Sequence, residues 1–250
     1  MLEDLRGKAV LITGASIGIG AAAALAFGRL GANVAVHYNK NAEAAEAVCA
    51  AIRKLGSKAV AIGGDLGVPG TAKQVVEESA KQLGRLDILL NNAGAMIRRA
   101  PFLELDTELY EAAMNLNVES VIEASQAAVP HMEKQGGGAI INVGSIAGAD
   151  GGGPGSGHYA CAKAYVHNLT RHMARDLASR KIRVNAIAPG VIETAFHAAT
   201  PPERMEAMKK SVPLGRAGTP EDCVGPILLL ASTSMGGYVT GQILHVNGGQ

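Results

Sequence analysis

The chain has 250 residues, 48% apolar and 18% charged, which suits one large α/β domain or two small ones around a well-buried core. A formal charge of +1 offers no basic surface for nucleic acid, and no charge-free apolar run reaches the ~18 residues of a membrane span. Cys49, Cys161 and Cys223 are too far apart for a disulfide framework or a zinc site, and the stretch from Met1 to Lys8 has no apolar signal core, so the reading is a reduced, cytoplasmic protein with no metal.

Short apolar runs alternate with longer helical patterns along the chain. The first strand is expected at Ala9–Thr13, a helix at Ile19–Leu30, a strand at Val34–His37 and a helix at Ala42–Leu55. A strand at Ala59–Ile62, a helix at Thr71–Leu83 and a strand at Leu86–Leu90 follow, then one long helix at Leu109–Lys134. The last are a strand at Ala139–Val143, a helix at Tyr159–Ser179, a strand at Arg183–Ile187, a helix at Pro220–Ala231 and a strand at Ile243–Val246. Strands apolar on both faces and separated by helices imply a parallel sheet covered on both sides. No linker, repeat or low-complexity tract divides 1–250, which reads as a single domain.

Two stretches carry chemistry. Thr13-Gly-Ala-Ser-Ile-Gly-Ile-Gly20 joins the first strand to the first helix, with Gly14, Gly18 and Gly20 as fixed points. Glycines there allow a tight turn and close approach of a pyrophosphate to the open N–H groups of the helix terminus. Tyr159 and Lys163 are four apart, one helical turn, so the lysine ammonium stands near the phenol. A neighbouring cation lowers a phenol pKa and fits it for proton exchange with a carbonyl or alcohol oxygen. Ser145 ends the apolar run before them.

The ordered set of glycine loop, Asn91-Asn-Ala-Gly94, Asn117, Ser145, Tyr159/Lys163 and Pro189-Gly190 resembles the short-chain dehydrogenase/reductases over about Leu5 to Gly249. That resemblance implies an α/β, Rossmann-type, doubly wound domain with a seven-stranded, mostly parallel sheet and helices on both faces. It also implies a nicotinamide cofactor. Tyr159 is then the acid/base, Ser145 a donor to the substrate oxygen and Lys163 the residue that bonds the ribose and lowers the tyrosine pKa. Asn117, preferred to Asn115, holds a water that relays protons. Cofactor contacts fall by resemblance on Gly14, Ser16, Ile17, Gly18 and Ile19 of the loop; on Leu66, Asn92, Ala93 and Gly94; and on Pro189, Gly190, Ile192 and Thr194. Asp65 takes the position that accepts from the adenine amino group. NAD-preferring members carry an aspartate at the position of Tyr38; its absence, with Asn39 and Lys40 alongside as donors, favours NADP(H) over NAD(H), although Ile17 stands where many NADP members have a basic residue.

The substrate walls are expected from three loops, with Met96, Ser145, His158 and Phe196 as contacts. A flap insertion over about 191–218 carries Phe196, His197, Met205 and Met208. The closest resemblance is to 3-oxoacyl-[acyl-carrier-protein] reductases, which implies an acyl thioester substrate and the carrier protein as candidate partner. Of the two arginines that grip the carrier, Arg180 is present and Gly136 replaces the other. The ending Asn247-Gly-Gly-Gln250 also suits sugar or polyol dehydrogenases. The third alternative is a non-catalytic cofactor-binding scaffold. The resemblance further implies a homotetramer.

Overall fold

The structure, a computed structural model, describes residues 2–197 and 200–250, with His197 followed by its backbone alone. The side chain of His197, named above as a flap residue, lies outside the described residues, as do Ala198 and Ala199.

The elements in chain order are β1 (Ala9–Ile12), α1 (Gly18–Arg29), β2 (Asn33–Tyr38), α2 (Ala42–Lys54), β3 (Ala59–Gly63), α3 (Thr71–Leu83) and β4 (Ile88–Asn91). They continue with α4 (Thr107–Met114), α5 (Ser120–Lys134), β5 (Gly138–Val143), α6 (Ala147–Asp150), α7 (Gly157–Asp176) and β6 (Ile182–Pro189). The last are α8 (Pro202–Lys210), α9 (Val224–Ala231), α10 (Thr233–Gly236) and β7 (Ile243–Val246). All seven strands pair parallel in the order β3-β2-β1-β4-β5-β6-β7. The sheet is thus wholly parallel.

Alternation along the strands divides the core into two layers. Val10 and Ile12 of β1 face the layer that holds Phe27 of α1, Ile52 of α2 and Ile227 of α9. Ala9 and Leu11 face the opposite layer, with Val76 of α3, Ala128 of α5 and Ala174 of α7. Both faces are covered, which explains why the strands read as continuous apolar runs. The chain order reverses between β1 and β4, and this opens a crevice at the carboxyl ends of the strands.

The long helix expected at 109–134 is interrupted. Residues Asn115–Glu119 form a π-turn between α4 and α5. This single wide turn places Asn117 and Val118 inward, Asn117 fully buried. Such turns recur where a helix must deliver a functional side chain. Polar groups also stitch the interior. Asn91 of β4 donates to Ser125 and to Asn142 of β5, and Asn142 donates to Thr170 of α7. This satisfied network ties the strand ends beneath the crevice to α5 and α7 of that layer.

Candidate active site

The turn after β1 bends through Gly14 (φ +62) and Gly18 (φ +59), both in the left-handed region that favours glycine. A Cβ on Gly14 would stand 3.1 Å from the Ala93 backbone, and one on Gly20 would stand 2.5 Å from the Gly14 carbonyl. The loop is therefore packed as tightly as its backbone permits. The Asn92 side chain braces it, donating to the carbonyls of Thr13 (2.8 Å) and Gly14 (2.9 Å). Helix α1 starts with no side-chain cap and no acidic residue in its first turn, so its terminal N–H groups and dipole face the crevice. The glycine cradle and the uncapped helix fit the pyrophosphate of a dinucleotide.

Behind this loop the crevice deepens into a cleft of about 860 Å³. Ser145 and Tyr159 line it together, the serine hydroxyl near enough to the phenol to favour its ionised form. Lys163 is buried; its Nζ donates to the Val143 carbonyl at 2.8 Å and lies 5.6 Å from the Tyr159 ring centre. Asn117 sits behind the cleft wall. It donates to the carbonyls of Ala95 and Ala113, both at 2.9 Å, and accepts the Ala95 N–H at 3.2 Å. Gly94 lies between the two: a Cβ there would stand 2.7 Å from Asn117 Oδ1 and 3.0 Å from Lys163 Nζ. Asn115 faces away, toward Glu111 and Glu119.

The electrostatics correct one sequence expectation. Burial pushes the Tyr159 phenol up, to about 12, with the nearby Ser145 hydroxyl only partly opposing it. Burial pushes the Lys163 ammonium down, to about 8. In the protein alone, desolvation is thus the largest influence on both groups. At neutral pH Tyr159 holds its proton, which is the state a donor to a developing alkoxide needs.

A cleft at the strand ends, a glycine cradle and a Ser–Tyr–Lys cluster on one wall agree with what the comparisons find. The family model described as enoyl-(acyl carrier protein) reductase matches residues 14–250. The chain belongs to the short-chain dehydrogenase/reductase family. It is 40% identical to the L-rhamnose 1-dehydrogenase (NAD(P)(+)) of Sphingomonas sp. (strain SKA58), over 99% of this chain and 98% of that one. It is likewise 40% identical to the 3-oxoacyl-[acyl-carrier-protein] reductase FabG of Staphylococcus aureus (strain Mu50 / ATCC 700699), over 97% of each. Among solved structures, a short chain dehydrogenase from Burkholderia cenocepacia J2315 in complex with NADP superposes with a TM-score of 0.92 at 36% identity, covering 98% of each chain.

For this short-chain dehydrogenase/reductase, the cleft lining unites most of the residues singled out from sequence. Gly14, Ser16, Ile17, Gly18, Ile19, Asn39 and Lys40 line one end. Leu66, Asn92, Ala93, Gly94, Met96, Pro189, Gly190, Ile192, Thr194 and Phe196 complete the walls. The Phe196 ring lies 5.5 Å from that of Tyr159, tilted by 46°.

Three expected contacts are not in the lining. The Tyr38 ring turns onto Gly63, where a Cβ would meet its hydroxyl at 3.0 Å. Asp65 is exposed and accepts the Gly67 N–H at 2.9 Å, which makes it a turn residue. His158 is buried, and its Nε2 meets the Met96 carbonyl at 2.9 Å, so it anchors the loop after β4 to α7. Sequence reasoning missed His37, which lines the cleft beneath the glycine loop. The signal was a histidine at the end of a buried apolar strand, where a polar ring must find partners.

The flap begins and ends at one point. Ile192 and Gly218 form a parallel bridge, with Gly218 N–H donating to Val191 (2.8 Å) and Glu193 N–H to Gly218 (2.8 Å). Within it Met205 and Met208 pack on Val191, Val212 and Ala217 as a small separate core.

Proposed function

We propose that the chain, one catalytic domain across 1–250, is an NADP(H)-dependent oxidoreductase that interconverts a carbonyl and a secondary alcohol. The observation that carries this reading is the meeting of Ser145 and Tyr159 in one cleft with buried Lys163 5.6 Å from the tyrosine ring. The nicotinamide supplies or accepts the hydride; the protein orients the carbonyl and handles the proton. In reduction, the Ser145 and Tyr159 hydroxyls meet the charge that builds on the carbonyl oxygen, and Tyr159 transfers its proton there. Gly94 keeps the wall thin so that Lys163 can reach a bound ribose. Preference for NADP(H) rests on the end of β2: Asn39 and Lys40 line the cleft there, and among the described residues no acidic side chain does.

The 3-oxoacyl-thioester reading and the sugar or polyol reading both remain in view, and one observation favours the small-molecule side. Arg180 is held by Glu133 at 2.6 Å, and Gly136 offers no side chain, so the surface that would grip an acidic carrier is weak. A non-catalytic scaffold is disfavoured by the complete Ser145, Tyr159 and Lys163 set. Assembly as a homotetramer is supported by the near-complete exposure of Phe102, Leu103 and Tyr238; elution at monomer size would remove it. The deciding experiment measures reduction of an acetoacetyl thioester with NADPH and with NADH, and oxidation of aldoses with NADP+ and with NAD+. The expected result is NADPH-dependent carbonyl reduction; cofactor binding with no turnover on either class overturns the enzyme reading.

A further inference from the structure

The end of the cleft away from the glycine loop carries two arginines that the chemistry above does not use. Arg99, from the loop after β4, donates to the Pro154 carbonyl at 2.9 Å. Arg204, from α8 of the flap, brings its Nη2 to 3.0 Å from where a Cβ of Gly153 would stand. The two guanidinium groups therefore come from separate segments to adjacent residues, Gly153 and Pro154. Both line the cleft. Among the described residues neither makes an ion pair, whereas Arg98, next in sequence to Arg99, pairs with Asp106 at 2.5 Å and Arg216 pairs with Asp222 at 2.6 Å. Among the described lining residues Asp150 is the one acidic side chain; it accepts the Gly152 N–H at 2.8 Å and makes no ion pair with either arginine. Burial and the nearby Arg204 charge lower the Arg99 pKa, as expected of like charges converging without a counter-ion. Gly153, lacking a side chain, lets the Arg204 guanidinium lie against its backbone.

We propose that this end of the cleft binds the carboxylate of a small oxo or hydroxy acid between Arg99 and Arg204, while its carbonyl or alcohol carbon lies at Ser145 and Tyr159. This rests on the reductase reading and names its substrate class. A planar carboxylate matches the guanidinium fork and supplies the missing counter-charge. In reduction the C=O of the acid gains a hydride from the reduced nicotinamide and a proton from Tyr159, giving CH–OH and the oxidised nicotinamide. The carboxylate is unchanged. Gly153 must stay small, because a side chain would fill the place of the Arg204 fork.

The test is the ratio of kcat/KM, with NADPH, for acids and their neutral counterparts: acetoacetate against acetoacetamide, and levulinate against levulinamide. At least one pair is expected to favour the acid by about tenfold or more, the scale of a charge-assisted, bidentate contact. The double variant Arg99→Gln/Arg204→Gln should bring that ratio close to one. Arg98→Gln, committed to Asp106, should retain it. Ratios near one for every pair in the wild type, or a preference that survives the double variant, overturn the inference and leave the reductase reading standing. NADPH binding with no turnover of any compound overturns both.

Discussion

The Nδ1 of His37 accepts the backbone N–H of Gly14 at 3.0 Å. On its other side, Nε2 meets the Gly64 carbonyl at 3.0 Å. These partners require a neutral ring protonated at Nε2. A strand-end side chain thereby holds the first turn of the glycine loop against the sheet. Burial lowers the His37 pKa, with the Gly64 bond and the Asp65 charge opposing.

A pH dependence follows from that geometry. The unfolded ring takes up a proton near its ordinary pKa of 6.5, while the folded ring resists until lower pH. Between those values the unfolded state binds more protons, so stability falls as pH drops below about 6.5. His167, pushed down to about 4 by burial first and by nearby cationic groups, adds to the same trend. His37→Leu should remove its share of this slope. It should also lower stability at pH 7.5 by about 1–3 kcal/mol, because the Gly14 N–H loses its partner. Thermal melts of both proteins across pH 4.5–7.5 check this; identical slopes would sink it. NADPH affinity should fall as well.

Tyr159→Phe removes the acid that the proposed reaction uses to protonate the substrate oxygen. Reduction should drop by about 10²–10⁴-fold in kcat, the range for general acid catalysis, with little change in NADPH affinity. Single-turnover rates and a fluorescence titration of NADPH separate the two effects.

Lys163→Met should abolish turnover yet stabilise the cofactor-free protein. The buried ammonium is lowered from 10.5 to about 8. Below pH 8 it is charged in both states, and its desolvation opposes folding by about 3 kcal/mol, an upper bound since the variant also loses the bond to Val143. As pH rises from 8 to 10.5 the unfolded state holds the extra proton, and the wild type should gain stability through that window. The methionine variant should not. Denaturant melts at pH 7, 9 and 10 read this directly, and a less stable variant at pH 7 would refute the account.

Gly94→Ala should keep the fold and lose most activity. The new methyl would stand 2.7 Å from Asn117 Oδ1, which is held by the Ala95 N–H, and 3.0 Å from Lys163 Nζ. Displacing either should cost about 10²-fold in kcat/KM, the scale for misplacing catalytic groups. Unaltered kinetics would show that the wall yields freely.

Lys40→Glu should shift cofactor choice. Lys40 is exposed at the cleft end beside Asn39. A carboxylate there repels a 2′-phosphate, so the NADPH-to-NADH ratio of kcat/KM should fall about tenfold or more. An unchanged ratio would assign the preference elsewhere.

Much of this was legible before any coordinates. Period-two runs without polar breaks, alternating with helical patterns, specify a parallel sheet buried on both faces, because such strands have no face to give to water. The glycine loop and the Tyr159–Lys163 spacing are local features, set by backbone sterics and by one helical turn. Local chemistry also placed Ser145 at a strand end.

What pattern alone could not decide was direction. Tyr38, Asp65 and His158 sit at the right positions along the chain, yet their side chains turn onto Gly63, Gly67 and Met96. The π-turn that buries Asn117, the partners of His37 and the meeting of Arg99 with Arg204 each join segments far apart in sequence. Only packing across the sheet sets those distances, and packing likewise set the phenol and ammonium pKa values, since desolvation depends on everything that surrounds a group and not on its neighbour four residues away.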